Sequence, residues 1–502
     1  MTRTSLRSKM AIISLTAAMA LALPARADQK LFVVDLASDP ASLDPQVQWD
    51  PDSYAVYRNI FDNLVTRDAS GKIVGQVASA WHYKSPTEIV FTIRSDIHFQ
   101  DGSALTPEDV VYSVKRITNP AFKSPQLSQF DQITGAEVSG PNEVTLSTKT
   151  PYPVLLAQLV KLSIVPKAYV EKLGDTAFNQ APMGSGPYRL VSRTRGVKMV
   201  LAANEGYWRG KPPFPAVEMH PVPQESTRIA DVRTGKADIT RILSTDDADA
   251  LHTDSQVKVL WTPTERVTML TLNALTGPMQ DVRVREAAAM AIDRKTLVEA
   301  LLRGYAKPVN EPLTPASVGF DPNIADYGYN PDRARALLKE AGVTPQTKFE
   351  FLTSPVFDQR VVQALEQMLG DVGINAKIVT VDIATYLKLR QASPQEAGDV
   401  SYFRWSCGCQ DADGTLFPLF HSSSQWAKYK NADVDAALSA ARATLEPQQR
   451  LAEYAKALEL IHKDVAVVPL FQDVVMFAAR KQVQFQPTAD ESFFLFPMRW
   501  KP

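Results

Sequence analysis

Apolar and polar positions alternate from Glu88 to Arg94, placing Ile89, Phe91 and Ile93 on one face, and this predicts a half-buried strand. Leu31 to Val34 shares that β-rich composition. Helix signals appear where the period lengthens. Thr106-Pro107-Glu108-Asp109 opens a helix: Thr caps, Pro suits the first turn, the two acids complement the exposed N–H groups, and Asn119-Pro120 ends it. The Ala-rich run Asp281 to Ile292 predicts another helix, and Asp293 caps one running to Arg303 with Gly304 as terminator. Asn330-Pro331-Asp332 starts a fourth, which continues to Gly342, and Asp358 to Leu369 a fifth, ahead of a strand from Ala376 to Val381. Helices over Asp433 to Thr444 and Pro447 to His462 precede an apolar, β-branched segment, Val465 to Phe477, that reads as a buried strand. Five prolines between residues 205 and 225 favour extended, connecting backbone there. Helices alternating with strands predict an α/β fold.

The first 27 residues depart from this pattern. Arg3, Arg7 and Lys9 precede an apolar stretch, Met10 to Leu23, too short to span a bilayer; Pro24 breaks it, and Ala25-Arg26-Ala27 supplies a small-x-small site, so a signal peptide cleaved before Asp28 is expected. The remaining chain is longer than one core supports, so two or more domains are expected, with no low-complexity linker between them. Lys and Arg number 54 against 55 Asp and Glu, and the leader carries four bases and no acid, so the rest is mildly acidic. That balance argues against nucleic acid as a partner.

Only two cysteines occur, Cys407 and Cys409, which excludes a disulfide-scaffolded domain. Gly408 between them permits a tight disulfide in an oxidising compartment, whose ring is too small for loop-closure entropy to matter, so its use is to shape the loop. A redox or metal role is the alternative, although two thiolates are half a zinc site and no His stands at the expected spacing. H-E-x-x-H, G-x-S-x-G, G-x-G-x-x-G and the phosphate-binding loop are all missing, which disfavours an enzyme such as a secreted hydrolase. Ser255 to Lys258 spells S-x-x-K without its companion motifs, and Asp411 to Gly414 begins like a calcium loop but has Ser422 where a Glu belongs. No cofactor or metal is therefore expected.

A series of segments in fixed order carries a resemblance. It comprises SLDPQ (Ser42 to Gln46), NIFDNLV (Asn59 to Val65), ASAW (Ala78 to Trp81), the stretch Phe91 to Ile117, GSGPYRL (Gly184 to Leu190) and NEGYWRG (Asn204 to Gly210). RTGKADI (Arg233 to Ile239), DVRVREAAAMAIDR (Asp281 to Arg294), YNPDRARALLKEAG (Tyr329 to Gly342) and the region from Trp405 to Asn431 complete it. Together they resemble the family 5 extracellular solute-binding proteins, the peptide and nickel binders of ABC transporters. The resemblance implies a periplasmic-binding-protein fold of type II, cluster C: two lobes joined by a two-crossing hinge, plus an inserted subdomain. Carried over, lobe one comprises 28–70, 182–267 and 474–502, the insert 71–181, and lobe two 268–473. It also implies a monomeric periplasmic protein that closes on a peptide or other small polar solute and delivers it to membrane permease subunits.

The segment implied to line the cleft is Tyr402 to Asp413. Trp405 matches an aromatic of the peptide binders and is either a stacking platform or a core residue. Three or four positions later those relatives carry an Asp for the peptide's amino terminus, where this chain has Gly408 and Cys409. Either Asp411 reaches in from a shifted loop, with Asp413 nearby, or the ligand is not an ordinary peptide; a sugar, an opine, nickel or haem are the other candidates, with His421 the imaginable metal contact. Asp411 and Asp413 are equally readable as caps of the turn at Gly414. Arg404 is a clamp for a carboxylate or phosphate, or a bridge between lobes. By the same analogy Tyr402 stands with this segment, and Ser42 and Met183 lie on the lobe-one side. Gly102, Gly184 and Gly186 read as turn glycines.

Overall fold

The computed structural model describes residues 31–47, 51–68 and 70–501, so the expected leader lies outside the described residues. Local rules place the helices where the sequence predicts them. The Thr106 N–H donates to Asp109 at the start of Pro107–Thr118, Asp281 accepts from the Arg283 N–H, Asp293 from Thr296 and Asn330 from Arg333. The helix after Asp293 is shorter than expected, Arg294–Leu301, because Arg303 and Gly304 both turn left-handed (φ 52° and 77°) and end it.

One mixed sheet of eleven described strands runs through the molecule. In order across it lie Ala376–Thr380, Phe349–Thr353, Val400–Trp405, Val257–Leu272, Val467–Arg480, Ile239–Ile242, Phe32–Leu36, Ala216–Pro221, Lys198–Ala203 and Tyr188–Thr194, with Lys307–Pro308 pairing Val467–Arg480 off this path. Part of the proline-rich stretch is thus no mere connection. Ala216–Pro221 is an interior strand, parallel to Phe32–Leu36 and antiparallel to Lys198–Ala203, and Pro212, Pro213 and Pro215 all precede it, where no ladder N–H is required.

Two strands, Val257–Leu272 and Val467–Arg480, are much longer than the rest and pair antiparallel along most of their length. Their first section, Val257 to Pro263 against Val474 to Arg480, is flanked by Ile239–Ile242; their second, Val267 to Thr271 against Val467 to Gln472, by Val400–Trp405. The register breaks most widely between Pro263 and Val267, and shifts again by a single residue between Thr268 and Met269. A ladder that loses regular pairing at one place bends there more readily than elsewhere. Side chains bridge the break: Gln472 Nε2 donates to the Thr264 carbonyl at 2.6 Å and Thr264 Oγ1 to the Asp473 carbonyl at 3.2 Å.

Separate apolar cores flank the break. One surrounds Phe32, Tyr57, Phe214 and Phe477; two others pack on the opposite section of the sheet around Phe349 and Leu365 and around Phe403 and Tyr454. A four-stranded antiparallel sheet, in the order Ala78–Ser85, Glu88–Ile93, Glu143–Thr148, Ile133–Gly140, has its own core around Phe91 and Leu146. Gly184 and Gly186 serve close approach rather than a turn, since a Cβ at either would collide with the backbone of Ile60. Gly102, at φ 88°, is the turn glycine the sequence suggests.

Candidate functional site

A cavity of about 340 Å³, counting the solvent at its mouth, lies between these cores. Tyr54 and Arg58 reach it from the helix Pro51–Ile60, Thr66 and Arg67 from the short strand Val65–Arg67, and Val160 and Lys161 from the turn after Leu155–Leu159. Asp490 comes from the loop before the C-terminus, and Gly408 from the opposite side of the sheet break. Gly408 belongs to the loop closed by the Cys407–Cys409 disulfide. That loop is docked: the Cys409 carbonyl accepts from Arg67 Nη2, and the Cys409 side chain is fully buried in the core of the four-stranded sheet. The halves are therefore shut upon one another.

Charged side chains crowd the break itself. Arg404 donates twice to Asp473 Oδ2, at 2.8 and 2.6 Å, while Thr268 Oγ1 donates to Oδ1, so the end of one strand is tied to a long crossing strand. Glu491 accepts from Arg241 at 2.6 Å and faces Arg266 at 3.2 Å. Burial alone would raise the Glu491 carboxyl, but the two guanidiniums outweigh it and hold it below its usual range. Glu265 is in the reverse situation. It is buried with Oε2 unpartnered, and burial, then Glu491 and Asp490, push its carboxyl up to about 8 despite Lys161 and Arg266.

This has a consequence for stability. The folded state holds the Glu265 proton more tightly than the unfolded chain, so that contribution is complete below the ordinary glutamate value of 4.5 and is lost as pH rises through about 8. Glu265→Gln is accordingly expected to gain thermal midpoint relative to the native protein between about pH 5 and about pH 9. A difference between the two proteins that stays constant over that range would show that the carboxyl is not held neutral.

The segment Tyr402 to Asp413 meets the cavity through Gly408. Tyr402 is buried in a core, and its carbonyl accepts from the Tyr386 hydroxyl. Trp405 is half-buried, donates its indole N–H to the Gly414 carbonyl at 2.9 Å, and packs on Phe403 and Trp426. Both Asp411 oxygens accept from Arg450, at 2.5 and 2.8 Å, and both Asp413 oxygens from Arg442, at 2.8 and 2.9 Å. These carboxylates are neutralised inside their own half, and the acid on the cavity wall is Asp490. Asp411 also accepts from the Asp413 N–H, in keeping with a turn cap. On the other side Ser42 is buried and bonded to Asn179, and Met183 is packed in the core of the four-stranded sheet. Because the Trp405 ring has partners throughout its own half, Trp405→Ala is expected to cost about 2 kcal/mol of stability and to change solute affinity by less than about tenfold. Calorimetric unfolding and titration of the same sample separate the two effects.

Arg58, Arg67, Lys161, Glu265 and Asp490 went unrecognised in the sequence. Arg58 lies one residue before the NIFDNLV segment, the nearest thing to a signal; the others stand in stretches that resemble any solvated surface. Among the described residues no group of three His, Cys, Asp or Glu is arranged to hold a metal ion, and no helix is long and apolar enough to cross a membrane.

Comparison with known proteins adds an independent line. The family model for bacterial extracellular solute-binding proteins, family 5 Middle, matches residues 72–427. The glutathione-binding protein GsiB of Salmonella paratyphi A is 28% identical over 468 residues, covering 90% of this chain and 90% of that protein. Among solved structures, the ABC transporter substrate binding protein CtaP of Listeria monocytogenes superposes with a TM-score of 0.87 at 20% identity, covering 95% of this chain and 100% of the other. The periplasmic binding protein DppA of Helicobacter pylori, in complex with the peptide STSA, gives 0.79 at 23% identity, covering 94% and 98%. At these identities the solved structures establish the fold.

Proposed function

This chain belongs to the bacterial extracellular solute-binding proteins of family 5, and from that premise we propose that it is the periplasmic capture component of an ABC importer. It takes a peptide-like small polar solute between its halves and delivers it, as a monomer, to permease subunits in the membrane. The observation that carries this reading is the position of the cavity. It lies beside the wider of the two places where the crossing strands lose regular pairing, and its wall is drawn from both sides of that break. A solute that touches both sides stabilises the shut arrangement and not the open one, so its binding free energy becomes a change of shape. Permease subunits that read the shut form then discriminate loaded from empty protein.

The polar wall supports a peptide-like solute over an apolar one, because Arg58, Arg67, Lys161 and Asp490 all require charged or strongly hydrogen-bonding partners when water is displaced. Relatives point the same way: GsiB is described as glutathione-binding, and DppA was solved with a peptide. Mass spectrometry of the solute released from protein purified out of the periplasm, followed by titration calorimetry with that compound, tests the reading. A peptide-like compound bound with a dissociation constant in about the micromolar range or tighter is expected. A folded protein that binds no peptide-like compound, or one that is found in the cytoplasm, would refute it.

A further inference from the structure

The cavity wall carries more positive than negative charge, and its buried donors are not used up by the protein. Arg58 is 6% exposed; Nη2 donates to Thr66 Oγ1 at 2.8 Å, the guanidinium lies 4.7 Å over the Phe494 ring, and Nη1 has no partner. Arg67 donates to the carbonyls of Gly71 and Cys409 and leaves Nε without a partner. The acceptors these two guanidiniums have found, the Thr66 and Tyr54 hydroxyls and two carbonyls, are thus all neutral. Lys161 is the third cation on the wall. Against them stands Asp490, whose oxygens already accept from the Thr488 hydroxyl and from the Ser492 N–H and hydroxyl. Burial, the largest influence on both, pushes Arg67 and Lys161 below their usual ranges, and Asp490 and Glu265 offset only part of it. A desolvated guanidinium with a vacant N–H is completed best by an oxyanion, and the planar fork matches a carboxylate.

We propose that Arg58 and Arg67, with Lys161 beside them, form a carboxylate-binding end of the cavity, and that the captured solute is a small peptide-like acid whose carboxylates outnumber its ammonium groups. Asp490, fixed by three donors, receives the ammonium. This deepens the capture reading above and rests on it. Asp411 and Asp413, the acids of the Trp405 segment, are already paired with Arg450 and Arg442, so discrimination is assigned to positive charge on the facing wall.

The test uses the full-length mature protein and a defined mixture, the peptides below about 1 kDa from an exhaustive casein digest, supplemented with glutathione. Half of the mixture is left native and half has its carboxyls converted to amides. Retained solutes are identified by mass spectrometry after dialysis. The native protein is expected to retain solutes of net negative charge from the first half and nothing from the second. Arg58→Gln is expected to lower retention about tenfold or more, and Arg58→Lys to restore part of it. Retention of amidated solutes equal to that of the acids overturns acid recognition and leaves the capture reading standing, and this arm needs no variant to fold. Undiminished retention by folded Arg58→Gln overturns it likewise. A folded native protein that retains nothing from either half overturns both readings.

Discussion

Asp62→Ala is expected to destabilise the protein by about 3–5 kcal/mol, the largest effect of any single change considered. The carboxylate is fully buried and is the meeting point of four donors from separate parts of the chain. Oδ1 accepts from Gln76 Nε2 at 2.5 Å and from the Tyr207 hydroxyl at 2.9 Å; Oδ2 accepts from Ser185 Oγ and from Trp208 Nε1, both at 3.0 Å. Leaving one buried donor unsatisfied costs about 1–3 kcal/mol, so four would exceed the quoted figure, and water entering the vacated space recovers the difference. Asp62 sits at the end of the helix that carries Arg58, and the Ile164 N–H donates to its carbonyl. Loss of the network therefore loosens the cavity wall together with the core. Calorimetric unfolding should show a lower midpoint, and solute affinity should fall with it. A loss within about 1 kcal/mol would mean that the donors have other acceptors at hand.

Arg450→Met is expected to cost nearly as much, about 3–5 kcal/mol, for an electrostatic reason. Arg450 and Asp411 form a two-point ion pair with both side chains almost wholly buried, and Arg450 Nη2 also donates to the Tyr454 hydroxyl at 2.6 Å. Removing the guanidinium strands a carboxylate in a medium of low polarity, and that uncompensated charge, more than the lost attraction, sets the cost. The control follows directly: Asp411→Asn in the same chain removes the stranded charge and should recover a large part of the loss, so the double variant is more stable than Arg450→Met alone. Equal stability of the single and double variants would place the cost in packing instead. Asp411 follows the disulfide loop by two residues, so Arg450→Met should also weaken solute binding by loosening Gly408.

What the sequence discloses about this molecule depends on how local the determining physics is. Helix starts were readable because Asp281, Asp293 and Asn330 cap within three residues of themselves. The strand Val467–Arg480 was readable too, as an apolar run interrupted only at Gln472 and Asp473 before its terminal Arg480, because it is buried along almost all its length. Its partner Val257–Leu272 passed unnoticed. Pro263, Glu265 and Arg266 interrupt its pattern, and they do so where the ladder breaks and a charged side chain has a use. The proline-rich stretch misled for a related reason: the rule against proline in strands speaks to the residues that bear it, and Ala216–Pro221 begins after three of the five, carries one only as its last residue and ends before the fifth. Ten short matches in order gave the family, since order survives where each string is weak. The cavity charges stayed hidden because Arg58, Lys161, Gly408 and Asp490 are brought together across hundreds of residues, and nothing beside any of them in the chain distinguishes a wall residue from a surface one.

Closure of two halves upon a solute is the claim on which the rest depends, and small-angle scattering measures it most directly. Protein stripped of its solute by unfolding and refolding should scatter as an open particle. Adding back the compound recovered from the periplasm should shrink its radius of gyration to that calculated for the shut arrangement, in which Arg67 meets the Cys409 carbonyl. Scattering curves that coincide with and without a solute shown by calorimetry to be bound would contradict the account.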